Sequence, residues 1–171
     1  ELVCKIRPGS RHEDLENELN VGKLLHTSLD GGRIGNKFYV LQKQGISYKN
    51  DYFKSLGDQG KIQQTLADLL IVRELYRLER KGYLHNDFKE ANVIFFLDED
   101  KNIKGLRLID FGMASKIGGK CPYRYTELAG YDYFAPELRR NVSSGEERHS
   151  WTERTQMYQV LHEVGIDITK Y

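Results

Sequence analysis

The sequence predicts an α+β fold, in which short strands are gathered around helices, and three observations carry that expectation. Two apolar runs, Val93 to Leu97 and Leu106 to Ile109, are rich in residues that favour strands and flank a charged turn, Asp98-Glu99-Asp100-Lys101-Asn102. That pattern reads as a hairpin. From Ile62 to Lys81, Leu66, Leu69, Leu70, Leu75 and Leu78 recur mostly three or four residues apart until Gly82 stops the pattern. This predicts the longest helix of the chain, with its leucine stripe in the core. Short apolar runs at Leu2-Val3-Cys4 and Phe38 to Gln42 predict further strands ahead of that helix.

Taken in order, the first strand ends on Lys5, and Pro8, Gly9 and Ser10 break it. Ser10 or Arg11 then opens a helical segment marked by Leu15, Leu19, Val21, Leu24 and Leu25. Gly31-Gly32-Arg33-Ile34-Gly35 has the composition of a phosphate cradle, yet it follows that helix instead of preceding the lysine strand. It is read as a turn between two short strands. A short helix is expected around Asp51 to Leu56. Beyond the hairpin, Gly118-Gly119 marks a flexible point, Tyr123, Tyr125, Thr126, Tyr131 and Tyr133 supply hydroxyls, and a last helix is expected at Thr155 to Leu161, after Trp151.

Composition sets the outer limits. At 171 residues, 39% apolar and 30% charged, the chain fits one domain with a sizeable core. A net charge of +1, with basic residues interspersed among acidic ones, gives no push towards nucleic acid or an acidic membrane surface. Neither partner is expected. Cys4 and Cys121 form no Cys-x-x-Cys and have no nearby histidine, so neither a disulfide framework nor a zinc site is indicated, and a cytoplasmic location is the expectation. The sequence shows no apolar run approaching the roughly 18 residues that span a bilayer.

The hairpin has chemical consequences. Asn92 enters its first strand, Asp110 leaves its second, and Asp87 sits in the loop before it, so three oxygen-bearing side chains are expected at one edge. Magnesium takes oxygen ligands and commonly relies on one or two carboxylates plus substrate phosphates, which suits Asp110 with Asn92. Asp87 is then free to orient an attacking hydroxyl and accept its proton. Lys89 places positive charge near a transferring phosphoryl group. A buried hairpin with solvated acidic flanks is the bland alternative.

These residues carry a resemblance. His85-Asn86-Asp87-Phe88-Lys89-Glu90-Ala91-Asn92 resembles the catalytic loop of eukaryotic-type protein kinases, Asp110-Phe111-Gly112 their metal-binding triplet, and Ala135-Pro136-Glu137 the triplet that closes their activation segment. The resemblance implies two lobes, a mixed sheet above (residues 1–44, partial) and mainly helices below (residues 45–171, partial). ATP and magnesium are the implied cofactors. Lys5 is similar to the strand lysine that holds the nucleotide's phosphates, and Glu18, with Glu13 and Glu16 as competitors, to the helix glutamate that pairs with it. The short separation between Lys5 and Glu18 resembles the casein kinase 1 group. Leu41, Gln42, Gln44 and Ile94 are the implied nucleotide-binding positions along the hinge and its floor, and His85 is a packing residue of the loop. Lys89, two residues after Asp87, matches kinases that phosphorylate Ser and Thr.

The pattern is broken in three places. Asn86 replaces the usual arginine, Tyr131 replaces a small hydroxyl residue, and Gln156 stands where an aspartate anchors the catalytic loop. The resemblance starts at the third strand of the upper lobe and stops near the middle of the lower one, in size like the minimal effector kinases of bacterial pathogens. The expectation is therefore a poor kinase in isolation, completed by an N-terminal piece or an activating protein partner, with a protein substrate. The competing readings are a small-molecule phosphotransferase of the aminoglycoside kinase type and a pseudokinase or binding module.

Overall fold

The computed structural model describes residues 1–8, 12–48, 51–120, 134–139 and 150–163, with the side chains of residues 12, 13 and 139 set aside. Strand β1 (Leu2–Pro8) leads to helix α1 (His12–Leu24), then β2 (Ser28–Ile34) and β3 (Lys37–Lys43). These strands form one sheet in the order β1-β3-β2. Both pairings are antiparallel, so the expected mixed sheet is corrected to an antiparallel one. Leu15 and Leu19 of α1 pack on Phe38 and Val40 of β3, which seats the helix on the sheet.

Only the end of the glycine run is a turn. Gly31 and Gly32 lie inside β2, and the reversal comes at Gly35, whose φ is 60°. A Cβ on Gly31 would meet the Tyr39 carbonyl at 2.7 Å and Leu19 Cδ1 at 2.8 Å. The missing side chain is what lets α1 close onto the sheet.

After β4 (Ile46–Ser47) and a short α2 (Tyr52–Ser55), helix α3 (Asp58–Arg80) runs longer than its leucines suggest. Its stripe is also rotated. Ala67, Ile71, Leu75 and Leu78 are buried, while Leu66 and Leu69 join Ile62, Val72 and Tyr76 on an exposed apolar face. The expectation of a wholly buried leucine stripe is corrected, because helical phase and not residue type decides which leucines face inward. Glu74, on the inner side, is buried and held by Arg77 at 2.8 Å, Arg73 at 3.2 Å and, more loosely, Arg107 at 3.6 Å.

The hairpin forms as expected from β6 (Val93–Leu97) and β7 (Ile103–Leu108), with β5 (Tyr83–Leu84) ahead of it and β8 (Ser115–Lys116) behind. Val93, Phe95, Leu106 and Leu108 face α3 in the main core. Helices α4 (Pro136–Arg139) and α5 (Glu153–Glu163) complete the described chain. A second cluster of Leu84, Phe134, Ala135, Leu138, Trp151 and Tyr158 holds them to the lower part. Gly118 and Gly119 exchange backbone hydrogen bonds with Trp151 at 2.8 and 2.9 Å, so the expected flexible point is a fixed junction. Tyr123, Tyr125, Thr126, Tyr131, Tyr133 and Cys121 lie outside the described residues.

Candidate active site

Helix α1 buries the face that carries Leu15, Glu18 and Leu19, so its glutamate is carried inward with the leucines. On β1, Lys5 meets it. Lys5 Nζ lies 2.7 Å from Glu18 Oε2 and 3.0 Å from Asp110 Oδ1. Glu16, on the outer face, is exposed and is not the partner. Burial pushes the Glu18 carboxyl above its ordinary range, and the ammonium of Lys5 draws it part of the way back. Burial pushes Asp110 upward too, but Lys5, with Arg7, outweighs that and holds its carboxyl below the ordinary range.

Asp110 adopts a left-handed backbone, φ 64° and ψ 61°, a conformation uncommon for a residue with a side chain. The surroundings hold it there. His85 Nε2 donates to the Ile109 carbonyl at 2.9 Å, and Asn17 Nδ2 from α1 lies within 2.7 to 3.1 Å of the carbonyls of Ala114, Phe111 and Gly112. His85 Nδ1 accepts the Asp87 amide at 3.3 Å, so the two ring nitrogens play opposite roles. A neutral ring is required, and full burial, which lowers the pKa of His85, supplies it. His85 is thus a packing and hydrogen-bonding residue, as expected.

The second cluster sits at the same end of the hairpin. Lys89 Nζ bonds both Asp87 oxygens at 3.1 and 3.0 Å, and Asn92 Nδ2 donates to the Asp87 carboxylate at 2.9 Å and to its carbonyl at 2.8 Å. The Ile109 amide donates to the Asn92 carbonyl at 2.9 Å, which ties this cluster to the residue before Asp110. Gln156 anchors the loop after all. Its Oε1 accepts the His85 amide at 2.7 Å while its Nε2 donates to Glu79 at 2.8 Å. Gln159, three residues on and so on the same face of α5, accepts the Phe88 amide and donates to the Asn86 carbonyl. Asn86, also left-handed, donates from Nδ2 to the Met113 carbonyl at 2.9 Å and to Ser115 Oγ at 2.8 Å. A neutral amide therefore ties the loop to the segment after Asp110.

Leu41 and Gln42 lie half-buried on β3, opposite Cys4 and Val3 of β1. Gln44 donates its amide to the Glu1 carbonyl, and Gln44 and Ile94 line a hollow that Lys5, Leu41, Gln42 and Asp110 do not line. The structure thus joins Lys5, Glu18 and Asp110 in one cluster and Asp87, Lys89 and Asn92 in another, but does not draw all four nucleotide positions into that hollow. Among the described residues no group of three or more His, Cys, Asp or Glu side chains is arranged to hold a metal. A hard cation would rest on the ionised, part-exposed Asp110 and on Asn92, its other oxygens coming from phosphates.

The sequence model of the protein kinase domain matches residues 41–164. The chain belongs to this family. Curated relatives include the Maternal embryonic leucine zipper kinase of Xenopus laevis, 34% identical over 93 residues, or 53% of this chain and 14% of the relative. The Citron rho-interacting kinase of Rattus norvegicus is 31% identical over 107 residues, 60% of this chain and 5% of the relative. Mitogen-activated protein kinase kinase kinase 20 of Arabidopsis thaliana is 29% identical over 105 residues, 58% of this chain and 29% of the relative. The matches thus cover less than a third of each of these relatives. The likeness to the casein kinase 1 group rests on the Lys5 to Glu18 spacing alone.

Three residues of this protein kinase domain escaped the sequence reading. Asn17 had a signal, being next to Glu18 on a short helix, and Gln159 had one in its three-residue spacing from Gln156. Arg7 shares a face of β1 with Lys5, two residues away, and its charge acts on both Glu18 and Asp110.

Proposed function

We propose that this chain transfers the terminal phosphoryl group of ATP to Ser or Thr hydroxyls of a protein substrate. The observation that carries the proposal is Lys5 holding Glu18 and Asp110 together, at the hairpin end where Asp87, Lys89 and Asn92 also meet. Lys5, fixed by Glu18, presents its ammonium to the nucleotide's phosphates. Asp110 and Asn92 would hold magnesium, which when bound neutralises developing phosphate charge. Asp87 orients the acceptor hydroxyl and takes its proton, and Lys89, already on the Asp87 carboxylate, faces the transferring group. Support for a peptide acceptor comes from Ala135-Pro136-Glu137, where Ala135 is buried in the second core and Glu137 pairs with Arg154 of α5.

The test is incubation of the chain with labelled ATP, magnesium and, in parallel reactions, a generic protein substrate or an aminoglycoside, alongside Asp110→Ala. Label on protein Ser and Thr, lost in that variant together with magnesium-dependent ATP binding, is the expected result. Label on an aminoglycoside and not on protein would favour the small-molecule phosphotransferase. Magnesium-dependent ATP affinity unchanged in Asp110→Ala would remove the site assignment, and binding without transfer would favour a pseudokinase.

A further inference from the structure

A hollow of about 540 Å³ opens beside the end of β3, and none of Lys5, Glu18, Asp87, Asn92 or Asp110 lines it. That volume falls in the range of roughly 300 to 1,000 Å³ typical of small-molecule sites. Leu2, Ile94 and Phe96 supply its apolar wall, and an adjoining hollow of about 410 Å³ extends the wall to Ile46 and Leu97. Cations gather on the other side. Lys43, Lys104 and Arg107 line the hollow against one acidic residue, Glu1. Arg107 is partly engaged, donating to the Leu106 carbonyl and lying 3.6 Å from Glu74, whereas Lys43 and Lys104 have no ion-pair partner among the described residues.

An independent observation points the same way. Thr27 lines the hollow, is 94% buried by its 6% exposure, and its hydroxyl has no hydrogen-bond partner among the described residues. A buried hydroxyl left without a partner is costly, and a ligand oxygen would relieve that cost. Thr27 is held in place by the end of α1, where its amide bonds the Gly22 carbonyl at 2.7 Å and His26 takes a left-handed conformation.

We propose that this hollow binds a small amphiphilic anion. Its apolar body lies on Leu2 and Phe96, its carboxylate, sulfonate or phosphate is held by Lys43 and Lys104, and the Thr27 hydroxyl bonds one of its oxygens. The site borders the implied nucleotide positions Gln44 and Ile94 but includes none of Lys5, Asp87, Asn92 or Asp110, and it does not depend on the phosphoryl-transfer reading.

The experiment uses anilinonaphthalene sulfonate as the probe and phenylnaphthylamine, the same rings without the sulfonate, as its control. Wild-type chain is titrated with each by fluorescence, alongside Lys104→Glu and Lys43→Glu. Both lysines are exposed, and circular dichroism confirms that each variant is folded. One sulfonate bound per chain, at least about tenfold weaker in either variant, with the neutral dye unaffected and ATP unable to displace the probe, is the expected result. Equal binding of the sulfonate by wild type and both variants would overturn the proposal, since plain adsorption to apolar surface then explains it. Displacement by ATP would also overturn it, by moving the probe into the nucleotide cleft.

Discussion

Lys5 stands between two carboxylates that respond to acid in opposite senses. Glu18 is raised above its ordinary 4.5 by burial, so on acidification it takes up a proton early, while Asp110 is lowered from 3.8 and stays charged. The folded state gains from Glu18 protonation in acid and loses that gain as pH rises through the raised value; the Asp110 contribution is present above 3.8 and lost as pH falls through its lowered one. Lys5 should therefore part from Glu18 first. ATP affinity measured by calorimetry is expected to weaken as pH falls towards 4.5, and Glu18→Gln is expected to remove that step. A wild-type affinity that is flat down to 4.5 would sink the assignment. Because burial keeps His85 neutral below its ordinary 6.5, no inflection from it is expected near that pH. That Asp87, Asn92 and Asp110 share one end of the hairpin was legible, because a hairpin fixes where its ends meet. Choosing Glu18 over Glu16 needed the phase of α1, which the sequence leaves open by a residue or two.

Elements were legible in kind and less so in rotation. Helix α3 was expected from its leucines, yet Leu69 is 64% exposed and Leu75 is 6% exposed, because the inward series runs through the small and polar residues Gly60, Gln63 and Ala67. Urea denaturation separates the two faces. Leu75→Ala is expected to cost about 2 to 5 kcal/mol and Leu69→Ala less than about 0.5 kcal/mol; equal losses would contradict the observed phase. Helix α5 carries a similar lesson. Gln156 looked like a lost anchor because an amide bears no charge, but its two ends serve His85 and Glu79 at once. Gln156→Leu strands a buried amide and should lower stability by about 1 to 3 kcal/mol, read from the same denaturation curves. A neutral effect would mean that the loop is held elsewhere.

At the scale of the molecule, the part built on the β1-β3-β2 sheet meets the part built on the hairpin through Val21 of α1 and Leu25 just after it, which enter the main core with Phe111, and through a few polar contacts. Lys5 reaches Asp110, and Asn17 of α1 reaches three carbonyls of the turn that follows it. That joint could not be read from composition or periodicity, since Asn17 and Phe111 are 94 residues apart and nothing local announces the pair. The motif order alone brought the two parts together. What the joint achieves is to hold Lys5 on Asp110, beside the hairpin end where Asp87 and Asn92 meet, and the central claim is that chemistry happens there. Asp87→Asn keeps the shape of the side chain and removes its charge. Turnover of labelled ATP onto protein, measured beside ATP affinity for the same variant, should fall by roughly 10²- to 10⁴-fold with affinity little changed. Turnover within about twofold of wild type, far short of that range, would contradict the account.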